Sequence, residues 1–306
     1  MEKVRGAIEH VIEGKTDQIK LALVVLLAEG HLLVEDVPGV GKTMLARAMG
    51  RAIDCKVNRL QFTPDLLPSD ITGVSIYSQA TREFEFKPGG IFANIVVGDE
   101  INRASPKTQS ALLEAMAERQ VSSDGITHTL DRPFMVIATQ NPIEMEGTYP
   151  LPEAQRDRFM ARIEMGYPTR SAELDMLDHH GARDPLADLE PVASGEQVVN
   201  LIKICREVYV ADPVKNYIVD IVTKTRASED LRLGASPRSS LALLRAVRAR
   251  AAMEGRDYAI PEDVQVLALP VLAHRVLPST ASQLGGRTVT EILQGLVASV
   301  ELPDHR

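Results

Sequence analysis

The chain has 306 residues, of which 34 are basic and 42 acidic, giving a net charge of -8, and 44% are hydrophobic. A chain of this length predicts about two domains, each able to bury a core. The acidic balance and the absence of tryptophan argue against nucleic acid as the main partner. No apolar run reaches the roughly 20 residues that a membrane-spanning helix needs. The two cysteines lie 150 positions apart, which supports neither a disulfide framework nor a metal site, and we expect a cytoplasmic protein without membrane insertion.

The N-terminal part of the chain predicts strands that alternate with helices. Apolar residues at a 3.6-residue period indicate a helix that ends at Gly30, and a strand at 31–34 and a helix at 42–53 follow. Further apolar runs at 95–97 and 134–138 are typical of buried strands. This alternation predicts an α/β fold in which helices cover both faces of a parallel sheet.

Two local signals mark a helix start and a turn in the same region. Ser105 followed by Pro106 indicates the start of a helix, because serine caps a helix and proline fits its first turn. Asp124 and Gly125, between two short β-type runs, are typical of a tight hairpin turn. The sequence therefore predicts a helix that begins after Ser105 and a hairpin over about 120–131.

Beyond about residue 168 the pattern becomes helical, with periodic apolar residues at 197–209, 214–225, 238–253 and 261–274. The stretch 183–194 carries two prolines and alternating acids, which is typical of a linker or a long loop. We therefore expect an αβα core over residues 1–168, a linker over 169–193 and a smaller all-helical domain over 194–306.

A phosphate-binding loop is indicated between the first predicted strand and the helix after it. Glycine backbone N–H groups can curl around phosphate oxygens there, Lys42 can reach the β- and γ-phosphates, and the Thr43 hydroxyl can bind Mg²⁺. The pattern G-x-x-x-x-G-K-[ST] would place its first glycine at Asp36, so the loop departs from it at one position. A glycine-rich turn before an ordinary helix is the alternative. The nucleotide-binding candidates are Asp36, Val37, Pro38, Gly39, Val40, Gly41, Lys42, Thr43 and Met44.

A second candidate site lies where the apolar run at 95–97 ends in two acids, Asp99 and Glu100. Asp99 can hold a Mg²⁺-bound water, and Glu100 can orient and activate an attacking water. Many strands end in acids at a loop, so this pattern alone has a second, structural interpretation. The residues that follow the two acids carry more information.

Those residues read Asp99-Glu-Ile-Asn-Arg-Ala-Ser-Pro-Lys-Thr-Gln-Ser-Ala-Leu-Leu-Glu-Ala-Met116, and the chain resembles the MoxR family of AAA+ ATPases from about Gly14 to about Pro278. The resemblance implies a P-loop AAA+ core over residues 1–168 and a helical lid over 194–306, with ATP and Mg²⁺ as cofactors. It also implies an insertion in the second helix of the core, at about 63–90. The hairpin at about 120–131 resembles one that faces the central pore in related ATPases, although it could equally be a plain connection.

Three further residues match family motifs. Asn141, in Ala-Thr-Gln-Asn-Pro, matches the sensor-1 position, where an amide senses the γ-phosphate or the attacking water; an Asn-Pro turn is the alternative. Arg158, in Asp-Arg-Phe, matches the arginine finger that reaches the neighbouring subunit's nucleotide, and Arg156 stands where the family more often has an apolar residue. Arg238, in Gly-Ala-Ser-Pro-Arg, matches the sensor-2 arginine of the lid, and Ser236 is expected to cap its helix.

Arg158 and Arg238 each also have an interpretation that involves no function. Arg158 could pair with Glu153 or Asp157 on a helix surface. Arg238 could be a solvated residue in a first helical turn, although the helix dipole disfavours a cation there and a nearby anion would explain it.

The resemblance implies an ATPase that hydrolyses ATP between the subunits of a homo-oligomeric ring, expected to be a hexamer. Its expected role is that of a chaperone-like remodeller or maturation factor for a client protein complex, with a von Willebrand factor A domain protein as a candidate partner. Two alternatives remain open on the sequence alone. One is a nucleotide-dependent scaffold that cycles slowly, and the other is an ATPase subunit of a magnesium-chelatase-like machine.

Overall fold

The computed structural model describes residues 1–36, 41–141, 148–170, 173–174 and 185–303. The chain forms two compact units. The first comprises Met1–Leu151 with Ile163–Val199, and the second comprises Pro152–Arg162 with Asn200–Arg306. No helix among the described residues is long and apolar enough to cross a membrane.

The segment Pro152–Arg162 belongs to the second unit, although its position in the sequence placed it inside the expected core. The cause is a set of contacts over a long sequence separation. The Asp157 carboxylate and the Phe159 carbonyl both accept hydrogen bonds from the Arg275 guanidinium, more than 100 positions along the chain.

The helices and strands follow the predicted alternation. In chain order, the helices are α1 (Glu2–Glu9), α2 (Thr16–Leu27), α3 (Lys42–Ala52), α4 (Pro68–Thr72), α5 (Pro106–Glu118), α6 (Glu153–Arg156), α7 (Pro185–Asp188), α8 (Gly195–Glu207), α9 (Asp212–Ala227), α10 (Pro237–Met253), α11 (Pro261–Leu272), α12 (Thr280–Leu284) and α13 (Val289–Ala298). The strands are β1 (Leu32–Glu35), β2 (Val57–Gln61), β3 (Gly73–Ser78), β4 (Glu83–Pro88), β5 (Ile95–Asp99), β6 (Gln120–Ser123), β7 (Ile126–Thr129), β8 (Met135–Gln140), β9 (Ala161–Ile163), β10 (Leu231–Leu233) and β11 (Leu277–Pro278).

The central sheet has five strands in the order β2-β5-β8-β1-β9. The pairings of β2 with β5, β5 with β8 and β1 with β8 are parallel. Every residue of β5 is buried, as are the first five residues of β8. Such unbroken burial is what a parallel sheet covered on both faces requires, and it explains why these strands read as continuous apolar runs.

The helix start expected at Ser105 is confirmed, because its Oγ accepts a hydrogen bond from the Thr108 N–H at the first turn of α5. The predicted hairpin is also confirmed as β6 and β7, with Asp124 at φ 52° and Gly125 at φ 78° between them. Both residues of the turn therefore have positive φ, as a two-residue hairpin loop favours.

The second hairpin, β3 with β4, lies inside the expected insertion at 63–90. It meets the β6–β7 hairpin through the rings of Phe86 and His128, which stack with centroids 3.8 Å apart at an interplanar angle of 11°. The two hairpins therefore form one continuous surface feature of the first unit.

In the second unit α10 packs on α9 and α11, and α13 packs on α9 and α11. The short strands β10 and β11 add an antiparallel pair. The four helices expected after residue 194 are confirmed as α8, α9, α10 and α11, while α12 and α13 were not predicted because each is short.

A buried carboxylate joins two elements of this bundle. Asp263, in the first turn of α11, is 1% exposed. It accepts hydrogen bonds from Arg250 at 3.1 Å, from Arg256 at 2.7 and 2.8 Å, and from the Ile260 N–H at 3.0 Å. The hydrogen bonding to Asp263 raises the pKa of Arg256.

Asp263→Ala should lower the free energy of unfolding by about 3 kcal/mol, because two mostly buried guanidinium groups lose their acceptor. Urea denaturation measures this loss. Glu262→Ala is the matched control, since its side chain is exposed, and it should change stability by no more than about 0.5 kcal/mol. Equal losses in the two variants would contradict the assignment of Asp263 as the anchor.

Candidate functional site

In the first unit, the start of α3 meets the end of β5. Gly41 precedes α3 with φ 87°, a left-handed conformation that glycine adopts without a steric penalty. The Thr43 hydroxyl donates to the Asp99 carboxylate, at 3.2 Å from Oδ2 and 3.4 Å from Oδ1. The predicted phosphate loop and the predicted acidic strand end, 56 positions apart in the sequence, therefore form one site.

The Asp99 carboxylate is 6% exposed and has donors from two further strands. Thr139 on β8 donates its hydroxyl to Oδ1 at 3.3 Å, and Arg59 on β2 donates Nε–H to Oδ2 at 2.6 Å. A buried polar group is costly unless it is hydrogen-bonded, and these donors satisfy the carboxylate oxygens. Asp99 is thus held from α3, β2 and β8 at once.

Glu100 follows in the left-handed region, with φ 58°. A non-glycine residue in this conformation stores about 1–3 kcal/mol of strain, and such residues cluster at functional sites. Its N–H donates to the Thr139 hydroxyl at 3.0 Å. Its carboxylate accepts from Gln61 at 3.3 Å and from Arg103 at 2.8 Å, and the side chain stays 34% exposed. The carboxylate is therefore oriented by neighbours and still open to water.

Lys42 is the first residue of α3, and its Nζ donates to the Asp36 carbonyl at 2.7 Å. Burial lowers the pKa of Lys42, while the negative charges of Asp36, Asp99 and Glu100 act in the opposite direction. Three acids near one lysine leave a local excess of negative charge, so an anionic ligand would be stabilised here together with a divalent cation.

Asp36, the departure from the loop pattern, has a structural explanation. It is not among the residues with positive φ, so its backbone does not need a glycine. Its carboxylate accepts a hydrogen bond from the Gly166 N–H, which ties the loop to the segment after β9. The aspartate therefore adds an anchor where the pattern has glycine.

Four candidates from the loop, Val37, Pro38, Gly39 and Val40, lie outside the described residues. Met44 lies in the first turn of α3 and is half-buried. Asn141 follows β8 directly and is half-buried, and its carbonyl accepts a hydrogen bond from Asn102 at 3.4 Å. Since β5 and β8 are parallel, Asn141 leaves the sheet at the same end as Glu100.

Four residues that contact Asp99 or Glu100 were not predicted from the sequence: Arg59, Gln61, Arg103 and Thr139. One signal was available for two of them. Arg59 and Gln61 are two positions apart on a strand and so share a face, and Gln61 lies opposite Asp99 in the β2–β5 register. Thr139 carried no signal, because a threonine in a buried strand is ordinary.

The two remaining candidates belong to the second unit. Arg158 follows α6, Arg238 is the second residue of α10, and both side chains are exposed. Arg156 is half-buried, and its Nε is enclosed without a hydrogen-bond partner among the described residues. The first unit thus brings together Asp36, Gly41, Lys42, Thr43, Met44, Asp99, Glu100 and Asn141, and the second unit carries Arg158 and Arg238.

The oxygen donors of the site suit magnesium. Mg²⁺ binds through one or two protein oxygens and completes its shell with water and substrate phosphates. The Thr43 hydroxyl and the Asp99 carboxylate are such oxygens, and they lie within hydrogen-bond distance of each other. No group of three histidine, cysteine or acidic side chains that could hold a metal occurs in the part of the chain that the structure describes.

Comparison with known proteins agrees with this architecture. The family model described as "ATPase family associated with various cellular activities (AAA)" matches residues 31–161, and the AAA lid domain model matches residues 223–295. A Cytophaga hutchinsonii protein of known structure, described as a candidate ATPase, superposes with a TM-score of 0.92 at 35% identity, covering 99% of this chain and 94% of that one.

Two relatives extend the comparison over most of the chain. The uncharacterized protein YeaC of Bacillus subtilis is 51% identical, with 98% of this chain and 95% of that protein covered. The chaperone MoxR1 of Mycobacterium tuberculosis is 42% identical, with 90% of this chain and 75% of that protein covered. The chain belongs to the MoxR family of AAA+ ATPases.

Thr139→Val should lower the free energy of unfolding by about 1–3 kcal/mol, because it leaves the Glu100 N–H without its acceptor while preserving side-chain shape. The measurement is urea denaturation of the purified protein. Thr129→Val, at an exposed position of β7, serves as the control and should be close to neutral. If the Thr139 variant were as stable as the control, the hydroxyl would not be holding the two acids.

Proposed function

We propose that the chain is an ATPase that hydrolyses ATP between the subunits of a ring and uses the cycle to remodel client protein complexes. The observation that carries the proposal is the hydrogen bond from Thr43 to Asp99, 3.2 Å from Oδ2. It joins a phosphate-loop hydroxyl to a buried carboxylate, and Glu100 follows immediately in the chain.

The first unit supplies the binding groups in this proposal. Gly41 and the N-terminus of α3 present backbone N–H groups, and the helix dipole adds partial positive charge for the triphosphate. Lys42 donates to the β- and γ-phosphate oxygens, exchanging its bond to the Asp36 carbonyl for a charged partner. Thr43 and Asp99 hold Mg²⁺, which supplies neutralisation of charge on the phosphate oxygens.

Glu100 is the proposed base. In hydrolysis a water oxygen bonds to the γ-phosphorus, the bond from that phosphorus to the β,γ-bridging oxygen breaks, and the water's proton passes to an acceptor. The Glu100 carboxylate, oriented by Gln61 and Arg103 and open to solvent, is the acceptor available. Asn141 at the same end of the sheet would hydrogen-bond the γ-phosphate or the water.

The second unit supplies arginines. Burial is the main cause that lowers the pKa of Arg275, Asp157 acts in the opposite direction, and the charges of Arg245 and Arg238 lower it further. Such an excess of guanidinium charge suits a polyphosphate. Arg158 is exposed while Arg156 is half-buried, which favours Arg158 as the finger that acts on a neighbouring subunit's nucleotide. Arg238 would act as the nucleotide sensor of the lid.

For Arg158 to act on a neighbouring subunit's nucleotide, the subunits must assemble with each other, and we propose a closed ring. The resemblance to the MoxR family implies six subunits in that ring. The chaperone-like role is supported by the name of the relative, chaperone MoxR1, and the cytoplasm is the proposed location. The client would be a protein complex, with a von Willebrand factor A domain protein as candidate partner.

Lys42→Ala and Glu100→Gln should separate binding from hydrolysis. Loss of the Lys42 ammonium should weaken ATP binding by about 10- to 100-fold, because a charged hydrogen-bond donor is removed. Glu100→Gln should bind ATP normally and lower kcat by about 100-fold or more, because the base is lost. Calorimetry of ATP binding and a phosphate-release assay provide the two readouts.

Exposed residues of α5 offer matched controls, Lys107→Ala and Glu114→Gln, which should behave like the unmodified protein. ATP binding without Glu100-dependent phosphate release at any protein concentration would overturn the hydrolysis proposal in favour of a nucleotide-dependent scaffold. Insertion of a metal into a porphyrin by the purified protein would instead favour a magnesium-chelatase-like role.

Mixing two inactive variants tests whether the active site is shared. Arg158→Ala subunits keep Glu100, and Glu100→Gln subunits keep Arg158, so half of the mixed interfaces regain a complete site and phosphate release should return. A mixture of Lys42→Ala with Glu100→Gln should stay inactive, because both defects lie on the same side of the interface. Failure of the first mixture to recover activity, with both variants assembled, would rule out hydrolysis between subunits.

A further inference from the structure

A buried cluster in the second unit surrounds the residues on either side of Arg158. Arg275 lies in the turn after α11, and its side chain is 3% exposed. One nitrogen, Nη1, donates to Asp157 Oδ1 at 2.9 Å, and the other, Nη2, donates to the Phe159 carbonyl at 2.6 Å. The Arg275 guanidinium therefore hydrogen-bonds to the residue before Arg158 and to the residue after it.

The neighbouring residue His274 adds a second contact to the same segment. Its Nε2–H donates to the Phe159 carbonyl at 2.9 Å, and the imidazole is 1% exposed. Burial, reinforced by the charge of Arg275, lowers the pKa of His274 to about 3, so the ring is neutral at physiological pH. Burial also lowers the pKa of Arg275, to about 10, which still leaves it charged. In this cluster Arg275 is therefore the charged donor, and the Asp157 carboxylate accepts a hydrogen bond from it.

The third member is the start of α10. Ser236 occupies the cap position of this helix, but its hydroxyl makes no capping hydrogen bond, contrary to expectation. Instead, it donates to Asp157, at 3.0 Å from Oδ2 and 3.2 Å from Oδ1. A helix that forgoes its serine cap gives up about 1 kcal/mol. The hydroxyl is used to tie Asp157 to the helix that carries Arg238.

We propose that Arg275 is a positioning residue that fixes the Arg158 segment against the N-terminus of α10, so that Arg158 is presented to the neighbouring subunit in one orientation. The inference rests on the proposed function, since it assigns Arg275 to the finger side of a shared site. Within the described part of the chain, Arg275 hydrogen-bonds to Asp157, Phe159, Ser239 and His274, none of which belongs to the phosphate loop.

Arg275 can fix this segment because its guanidinium is planar and presents two hydrogen-bond donors in a rigid arrangement. A guanidinium that hydrogen-bonds to the residues on both sides of Arg158 restricts rotation of the two peptide units between Asp157 and Phe159. A finger that acts on a developing charge must lie within about an ångström of its productive position, and misplacement by that much costs on the order of 100-fold in rate. The side chain of Arg158 is exposed, whereas Arg275, which hydrogen-bonds to the residues on either side of it, is buried.

Arg275→Met removes the hydrogen-bond donors of the guanidinium and keeps much of the apolar volume of the side chain. We expect kcat for ATP hydrolysis to fall on the order of 100-fold, with KM for ATP changed by less than about threefold, because the binding groups belong to the first unit. Arg232→Met, at an exposed position of the same unit, is the matched control and should leave both parameters unchanged.

Subunit mixing separates positioning from plain loss of structure. Arg275→Met subunits mixed with Glu100→Gln subunits should recover phosphate release, because the Glu100→Gln subunits supply a correctly held Arg158 to intact sites. Arg275→Met mixed with Arg158→Ala should remain inactive, because both variants lack an effective finger. Recovery in the second mixture, or no recovery in the first while Arg158→Ala with Glu100→Gln does recover, would overturn the inference.

If Arg275→Met does not fold or assemble, Ser236→Ala decides the question. This variant removes only the tether from α10 to Asp157 and leaves the ion pair intact. It should lower kcat by about 3- to 10-fold, in line with the loss of one hydrogen bond to a charged group, and show the same pattern in the two mixtures. Unchanged kcat in Ser236→Ala would overturn the inference. Loss of recovery between Arg158→Ala and Glu100→Gln would instead count against the proposed function.

Discussion

The hydrogen bonds that converge on the Asp99 carboxylate determine the arrangement of the rest of the first unit's site. Thr43 reaches it from α3, Arg59 from β2 and Thr139 from β8. Because these donors come from three separate elements, the register of the sheet and the start of α3 must both be correct before the carboxylate is satisfied. A buried acid left without them would carry a desolvation penalty of several kcal/mol. The position of Glu100 then follows, since it is the next residue and its N–H bonds to the same Thr139 hydroxyl.

Charge is distributed unevenly with respect to this arrangement. The chain as a whole has a net charge of -8, and three acids surround Lys42 in the first unit. In the second unit, by contrast, burial is the main cause that lowers the pKa values of His274 and Arg275, and the charges of nearby arginines add to it, namely Arg156 and Arg162 for His274 and Arg238 and Arg245 for Arg275. Whole-chain charge therefore gives no information about where on the chain a polyphosphate binds.

Local patterns predicted the elements well and long-range contacts poorly. The strands β1, β5 and β8 and the helices α3 and α10 were evident because burial and helical periodicity leave a direct trace in the order of apolar residues. The side of the sheet on which Asp99 and Thr43 meet was also predictable, since parallel strands end at one edge. The partners Arg59 and Thr139 were not, because their roles depend on strand order, which no local pattern records.

Ser236 illustrates the same limit. A serine before Pro-Arg at a helix start predicts a capping hydroxyl. In the structure that oxygen accepts no capping hydrogen bond, and its O–H donates instead to the Asp157 carboxylate, 79 positions away, which the fold brings within 3.0 Å. The local pattern therefore predicted the position of Ser236 at the start of the helix correctly but not the hydrogen-bond partner of its hydroxyl. The same long-range cluster moved Pro152–Arg162 from the expected core to the second unit.

That transfer has a consequence for the covalent path of the chain. The backbone passes between the two units three times, at 151/152, at 162/163 and at 199/200. A single linker would let one unit swing or detach after one cleavage, but three crossings leave the units joined when any one of them is cut. The short segment that carries Arg158 therefore continues into the first unit at both of its ends, while Asp157 and Phe159 in its middle hydrogen-bond within the second, so one cut on either side of the segment leaves it attached to the chain.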